Sequence, residues 1–258
     1  MAKRAFAVAA HPDDIEFHMA GTLILLKDAG YEIHYMNVAN GSCGSSVMSA
    51  AETVRVRRGE AMRAAASAGA VFHESLVPDI EIFYEKGLLA RLGAIMREVA
   101  PEILLTQSPA DYMEDHQNAA RLAVTAAFCR GMPNFPTDPP RAAVDQAVTV
   151  YHCQPHGNRE PVGQSPVTPD FYINIAGALD RKRAMLSCHA SQKRWLDESQ
   201  GMDSYLHTME ELGREVGRMS GAFEFAEGWR KRLHYGFCDE KADPLSEALR
   251  EFRTPGLA

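Results

Sequence analysis

Apolar and polar positions along the chain fall into short blocks. Ala5-Phe6-Ala7-Val8-Ala9-Ala10 is an uninterrupted apolar run, the signature of a strand buried on both faces. The polar turn His11-Pro12-Asp13-Asp14 follows it. Met19 to Ala29 then has helical character and stops at Gly30. Tyr31 to Ala39 reads as a second strand, 51–68 as a helix ending at Gly69, and Val71 to Leu76 as a third strand. Leu88 to Val99 is helical, Ile103 to Thr106 is a fourth strand, and Asp115 to Arg130 is a further helix.

This alternation predicts an α/β fold, a Rossmann-like, mostly parallel sheet of order 3-2-1-4-5 with helices on both faces. Gly131 to Pro140 and His156 to Thr168 read as long loops, Gln146 to Cys153 as a fifth strand and Phe171 to Ile175 as a sixth. From about residue 177 the pattern is helical as far as Leu233. The last twenty or so residues read as a tail that packs loosely or on a partner. No repeat or interdomain linker interrupts the chain, so residues 1–258 are expected to form one domain.

Charge and composition narrow the function classes. The net charge of -7 argues against a general nucleic-acid surface or an anionic membrane surface. No apolar stretch approaches the length of a membrane span. The five cysteines are scattered without a C-x-x-C pair, which fits neither a disulfide framework nor a thiolate metal site and points to a reducing cytoplasm.

Candidate chemistry concentrates at the end of the first strand. His11, Asp13, Asp14 and Glu16 crowd one turn, where ligands bind in doubly wound sheets. A single aspartate there could simply cap the next helix. Gathering several like charges is better explained by a cation. Asp115-His116 follows the fourth strand, which this sheet order places beside the first. His11, Asp14 and His116 can then offer nitrogen, oxygen and nitrogen to a zinc ion with one position left for water.

The segment Ala10-His11-Pro12-Asp13-Asp14-Ile15-Glu16, with Gly21-Thr22-Leu23 after it, resembles the signature of the PIG-L/LmbE deacetylase family. Asp111-Tyr112-Met113-Glu114-Asp115-His116 is similar to that family's second block. Arg57-x-x-Glu60, Pro78-Asp79, and Lys182 with His189-Ala190-Ser191-Gln192 match weaker blocks. The resemblance implies zinc-dependent removal of acetyl from the nitrogen of an N-acetylglucosamine-type small molecule. It makes His11, Asp14 and His116 the zinc ligands and Asp13 the general base. Relatives often assemble, which leaves a homo-oligomer open.

Asp115 is expected to orient a liganding imidazole from behind. Arg57 and Asp79 are expected to bind substrate hydroxyls or brace the site, His189 to line the pocket, and Glu16 to buttress the turn. Bland alternatives are a solvated helix arginine for Arg57 and a hydrogen-bonded helix histidine for His189. Two departures bear on substrate. Met113 stands where the family commonly has a histidine, and His152, His156 and Tyr112 are the candidates to replace its hydrogen bond. Asn40-Gly41-Ser42-Cys43-Gly44 replaces a more acidic family loop. An amidase or esterase on a non-sugar substrate, or a non-catalytic sugar- or metal-binding relative, are the competing readings.

Overall fold

A computed structural model describes residues 3–200 and 204–256. Five parallel strands form its first part: β1 (Arg4–Ala9), β2 (Glu32–Asn37), β3 (Val71–His73), β4 (Ile103–Thr106) and β5 (Thr149–His152). They lie in the order β3-β2-β1-β4-β5, as the block pattern predicts. The apolar run of β1 serves both sheet faces at once. Ala5, Ala7 and Ala9 enter one core layer, and Phe6, Val8 and Ala10 enter the other.

The helices α2 (Ala20–Asp28), α3 (Ala50–Ser67) and α6 (Leu179–Ser187) cover the first layer; α4 (Lys86–Val99) and α5 (Glu114–Cys129) cover the second. Ser49 caps α3 by accepting from the Glu52 N–H, in the Ser-x-x-Glu arrangement that satisfies a helix start. The predicted helix over 19–29 begins earlier and is broken. A short α1 (Asp14–His18) precedes α2, and Met19 between them leaves helical geometry at φ -134°.

The C-terminal part differs from expectation. Helices α7 (Ala190–Gln200) and α8 (Ser204–Ser220) are present, but the helical reading fails at β7 (Ala226–Lys231). That strand joins β5 antiparallel and continues the sheet through β6 (Phe171–Asn174) to β8 (Arg253–Pro255). Glu227 and Gly228 hide its strand character, because their reasons are tertiary. Glu227 is buried against Lys182 at 2.6 Å, and a Cβ at Gly228 would lie 2.4 Å from Pro169 Cγ. The final residues are not a loose tail either. Leu245 and Leu249 are fully buried, and β8 pairs with β6.

Among the described residues, no helix is long and apolar enough to cross a membrane. All five cysteines are free thiols.

Candidate active site

The turns after β1 and β4 meet above neighbouring strands. His11 and Asp14 come from the first turn, and His116 from the first turn of α5. Their ligand-type atoms all lie within 4.8 Å of one another, and all three residues are buried. His116 Nε2 is 3.3 Å from Asp14 Oδ1, and His11 Nδ1 is 3.5 Å from Asp14 Oδ2. The remaining ring nitrogens are held from behind. Asp115 Oδ2 lies 2.9 Å from His11 Nε2, and Asp111 Oδ1 lies 3.0 Å from His116 Nδ1. A carboxylate on the far nitrogen fixes the ring and leaves the near nitrogen to face a metal.

The electrostatics of the cluster demand positive charge. Burial opposes a charged His11 ring, yet Asp115 and Asp14 outweigh it and push its pKa up to about 10. Burial works against the Asp14 anion as well, but the imidazoles of His116 and His11 hold its carboxyl well below the ordinary range. Protons or a cation could satisfy such a set. Two neutral imidazoles, one carboxylate and two backing carboxylates form the donor set that suits a divalent ion.

Asp13 sits beside this cluster in an unfavourable backbone state, φ 114° and ψ -22°. A non-glycine residue there costs about 1–3 kcal/mol, so its surroundings must hold it. Tyr205 OH donates to Asp13 Oδ2 at 2.7 Å, and Arg57 Nη2 lies 3.5 Å from the same oxygen. Burial raises the Asp13 pKa, the Arg57 charge opposes that, and the Asp14 carboxylate reinforces it. Arg57 Nη2 also donates to Pro12 O. A second strained residue flanks the site: Ile80, at φ 65°, gives its N–H to Asp115 Oδ2 at 2.7 Å.

The other expected residues divide into braces and lining. Asp79 accepts from the Gly41 and Cys43 N–H groups at 2.6 and 2.9 Å, and so holds the 40–44 loop while also lining the cavity. Arg57 packs against that loop so closely that a Cβ at Gly44 would lie 2.4 Å from its Nη1. Tyr112 stands at the mouth, 64% exposed, its ring 5.5 Å from those of His116 and His156. His189 does not line the cavity. It is fully buried, with Nε2 3.1 Å from Glu16 Oε1, and Tyr35 OH donates to the other oxygen of Glu16 at 3.1 Å. Glu16 is thus a buttress, as the sequence suggested.

The cavity holds about 340 Å³ and opens onto the three donor residues and Asp13. Its far walls are Gln192, from a block the sequence singles out, and residues it does not: Phe17 from α1, Trp195 and Leu196 from α7, and Tyr205 and Thr208 from α8. Tyr205 and Thr208 stand three residues apart, one helical face, but nothing in the sequence says which face meets the β1 turn. His152, one of the three candidates opposite Met113, lies elsewhere. Its Nδ1 is 2.7 Å from Gln107 O, and the ring faces a separate cavity with Arg232.

A buried His-Asp-His set at the carboxyl edge of a Rossmann-like sheet, with an aspartate outside that set beside it, defines a hydrolase type of centre with a candidate metal site. Comparison with known proteins agrees. The profile of the family described as PIG-L, GlcNAc-PI de-N-acetylase, matches residues 6–127. The 4-oxalmesaconate hydratase of Pseudomonas putida is 31% identical over 199 residues, covering 74% of this chain and 74% of that protein. The diacetylchitobiose deacetylase of Thermococcus kodakarensis is 27% identical over 238 residues, covering 88% and 82%. Among solved structures, the 4-carboxy-2-hydroxymuconate hydratase of Pseudomonas putida superposes with a TM-score of 0.70 at 27% identity, covering 89% of this chain and 95% of that one. The chain belongs to the PIG-L family.

Proposed function

We propose that this protein is a zinc-dependent hydrolase that removes an acetyl or related acyl group from the nitrogen of a small amide, an amino-sugar derivative of the kind its deacetylase relative is named for. One observation carries the reading: Asp13, strained and buried, is held by Tyr205 beside three convergent donor atoms in a single cavity.

His11, Asp14 and His116 would hold the ion, with Asp115 and Asp111 fixing their rings. When bound, zinc supplies Lewis acidity, polarising a carbonyl and bringing the pKa of water to about 7. Asp13 takes the proton from the attacking water and returns it to the leaving nitrogen. Its place beside the three donor residues in one cavity lets a single carboxylate serve both halves of that exchange. Tyr205 and Arg57 keep the Asp13 oxygens aimed, and the Phe17, Trp195 and Leu196 side of the cavity limits water around the acyl group. The cytoplasm fits the five free thiols.

A second reading is a metal-assisted hydration, the reaction type in the name of the Pseudomonas relative. Charge in the cavity favours the amide. Arg57 is the only lysine or arginine among the described lining residues, and Asp13 and Pro12 O already engage it. Apart from the ion that Asp14 would help hold, an acidic substrate would have to face Asp13 and Asp79.

A panel of N-acetylglucosamine derivatives, simple acyl amides, acetate esters and 4-oxalmesaconate separates these readings. Release of acetate and a free amine from the amino sugars, abolished by Asp13→Ala in protein that keeps its metal, is the expected result. Turnover of 4-oxalmesaconate alone would replace this reading with hydration, and bound metal with no turnover would leave a binding protein.

A further inference from the structure

Met113, at the entrance of α5, can donate no hydrogen bond, yet a carbonyl under attack accumulates negative charge on its oxygen. Two strong donors in the cavity are already engaged. Tyr205 OH gives its proton to Asp13, and Arg57 is spread over Pro12 O, Gly41 O and Asp13. Tyr112 stands largely in solvent at the mouth. His152 faces another cavity.

His156, on the loop after β5, is different. It lines the cavity, and its ring is fixed by three neighbours: Phe17 at 5.8 Å, Tyr112 at 5.5 Å and His18 at 5.5 Å between centroids. Its backbone N–H donates to Asp111 Oδ2 at 2.9 Å, and the other oxygen of Asp111 holds His116. One carboxylate therefore sets the place of both the candidate ligand ring and this loop. His156 Nδ1 lies 3.3 Å from His18 Nε2, while among the described residues its Nε2 has no hydrogen-bond partner.

His18 lies behind His156, buried in α1. Burial lowers the pKa of both rings, that of His18 to about 3, so each carries one N–H at neutral pH. A pair of neutral imidazoles shares one hydrogen bond. The contact admits two arrangements; in the one where His18 Nε2–H donates to His156 Nδ1, the remaining proton of His156 is on Nε2.

We propose that His156, held in its Nε2–H form by His18, is the cavity donor that bonds the anionic oxygen of the bound substrate, in the place where Met113 offers none. This rests on the hydrolase reading for its reaction. Phe17 and Tyr112 orient the ring, and His18 is a positioning residue that touches no substrate.

The test has two arms. In protein with ¹⁵N-labelled histidine, long-range proton–nitrogen correlation spectra of wild type should show His156 protonated at Nε2, with that signal moving when acetate is added. His18→Phe should shift His156 toward the Nδ1–H form. In the kinetic arm, His156→Phe keeps the ring packing but not the donor, and kcat should fall about 10²-fold with bound metal unchanged. His156→Gln, which keeps an N–H, should recover part of that loss. An Nδ1–H form of His156 in wild type, or His156→Phe with kcat within threefold of wild type, would overturn the proposal. If wild type hydrolyses no amide at all, the hydrolase reading falls, and the tautomer and acetate response still decide the role of His156 as the cavity donor.

Discussion

The two parts of the sheet do different work. The parallel part, β3-β2-β1-β4-β5, brings the turns after β1 and β4 together and so presents every candidate metal ligand and Asp13. The antiparallel part, β7-β6-β8 with α6 to α8, contributes none of these groups but closes the cavity through Tyr205 and Thr208 and buttresses it through His189. The candidate reactive groups come from short turns on a rigid frame, whereas the cavity's shape comes from contacts between distant segments. Changes in the first part should therefore alter chemistry at constant fold, and changes in the second should alter stability or the fit around Asp13.

The sharpest way to break that division is Asp13→Asn. It removes a proton acceptor from the parallel part while leaving the ligands in place. A fall in kcat of about 10²–10⁴-fold at unchanged metal content is expected from steady-state assays. A variant with near-normal kcat would take Asp13 out of the reaction.

The tie between the two parts is Glu227 of β7, which accepts from the Gly21 and Thr22 N–H groups at the start of α2 and is paired with buried Lys182 at 2.6 Å. Lys182→Met leaves that carboxylate buried without its cation. Urea unfolding should show a loss of about 3–5 kcal/mol, and adding Glu227→Gln should restore part of it. A change under 1 kcal/mol would mean that the junction does not depend on this pair.

At the join between β5 and β7, His152 offers a milder probe. Burial pushes its pKa down to about 4, against about 6.5 for an unfolded histidine. The unfolded chain therefore takes up the proton first. Stability is fully present above pH 6.5 and falls as the pH drops toward 4. Between pH 7 and pH 5 this residue should account for about 2 kcal/mol of lost stability. His152→Gln should flatten the denaturation profile over that window.

The smallest expected effect tests whether the second part touches the chemistry at all. Tyr205→Phe removes the 2.7 Å hydrogen bond to Asp13 and should lower kcat about tenfold, roughly 1.4 kcal/mol, with a loss of about 1 kcal/mol in urea unfolding.

The same division explains what could be read from the residues alone. β1, β4 and the turns after them are local: an apolar run, then His11-Pro12-Asp13-Asp14, or Asp115-His116 opening a helix. Their convergence follows from the sheet order that the alternation of elements implies. β7 does not read as a strand because Glu227 is tolerable there only through distant partners, Lys182 forty-five positions away and the Gly21 and Thr22 N–H groups. The last residues read as a tail because Leu245 and Leu249 find their core only across the sheet. His189 looked like a pocket residue because its motif names a histidine without saying which way a helix turns. It faces Glu16 instead. Tyr205, the partner of Asp13, carries no local sign of its role.

The central claim is that His11, Asp14 and His116 grip one divalent ion. Equilibrium dialysis against buffered zinc, comparing wild type with His116→Ala, tests it most directly. The account predicts roughly one ion per wild-type chain and an affinity at least tenfold weaker in the variant, whose fold is intact by circular dichroism. Equal zinc binding by both proteins, or none by a fully active wild type, would contradict it.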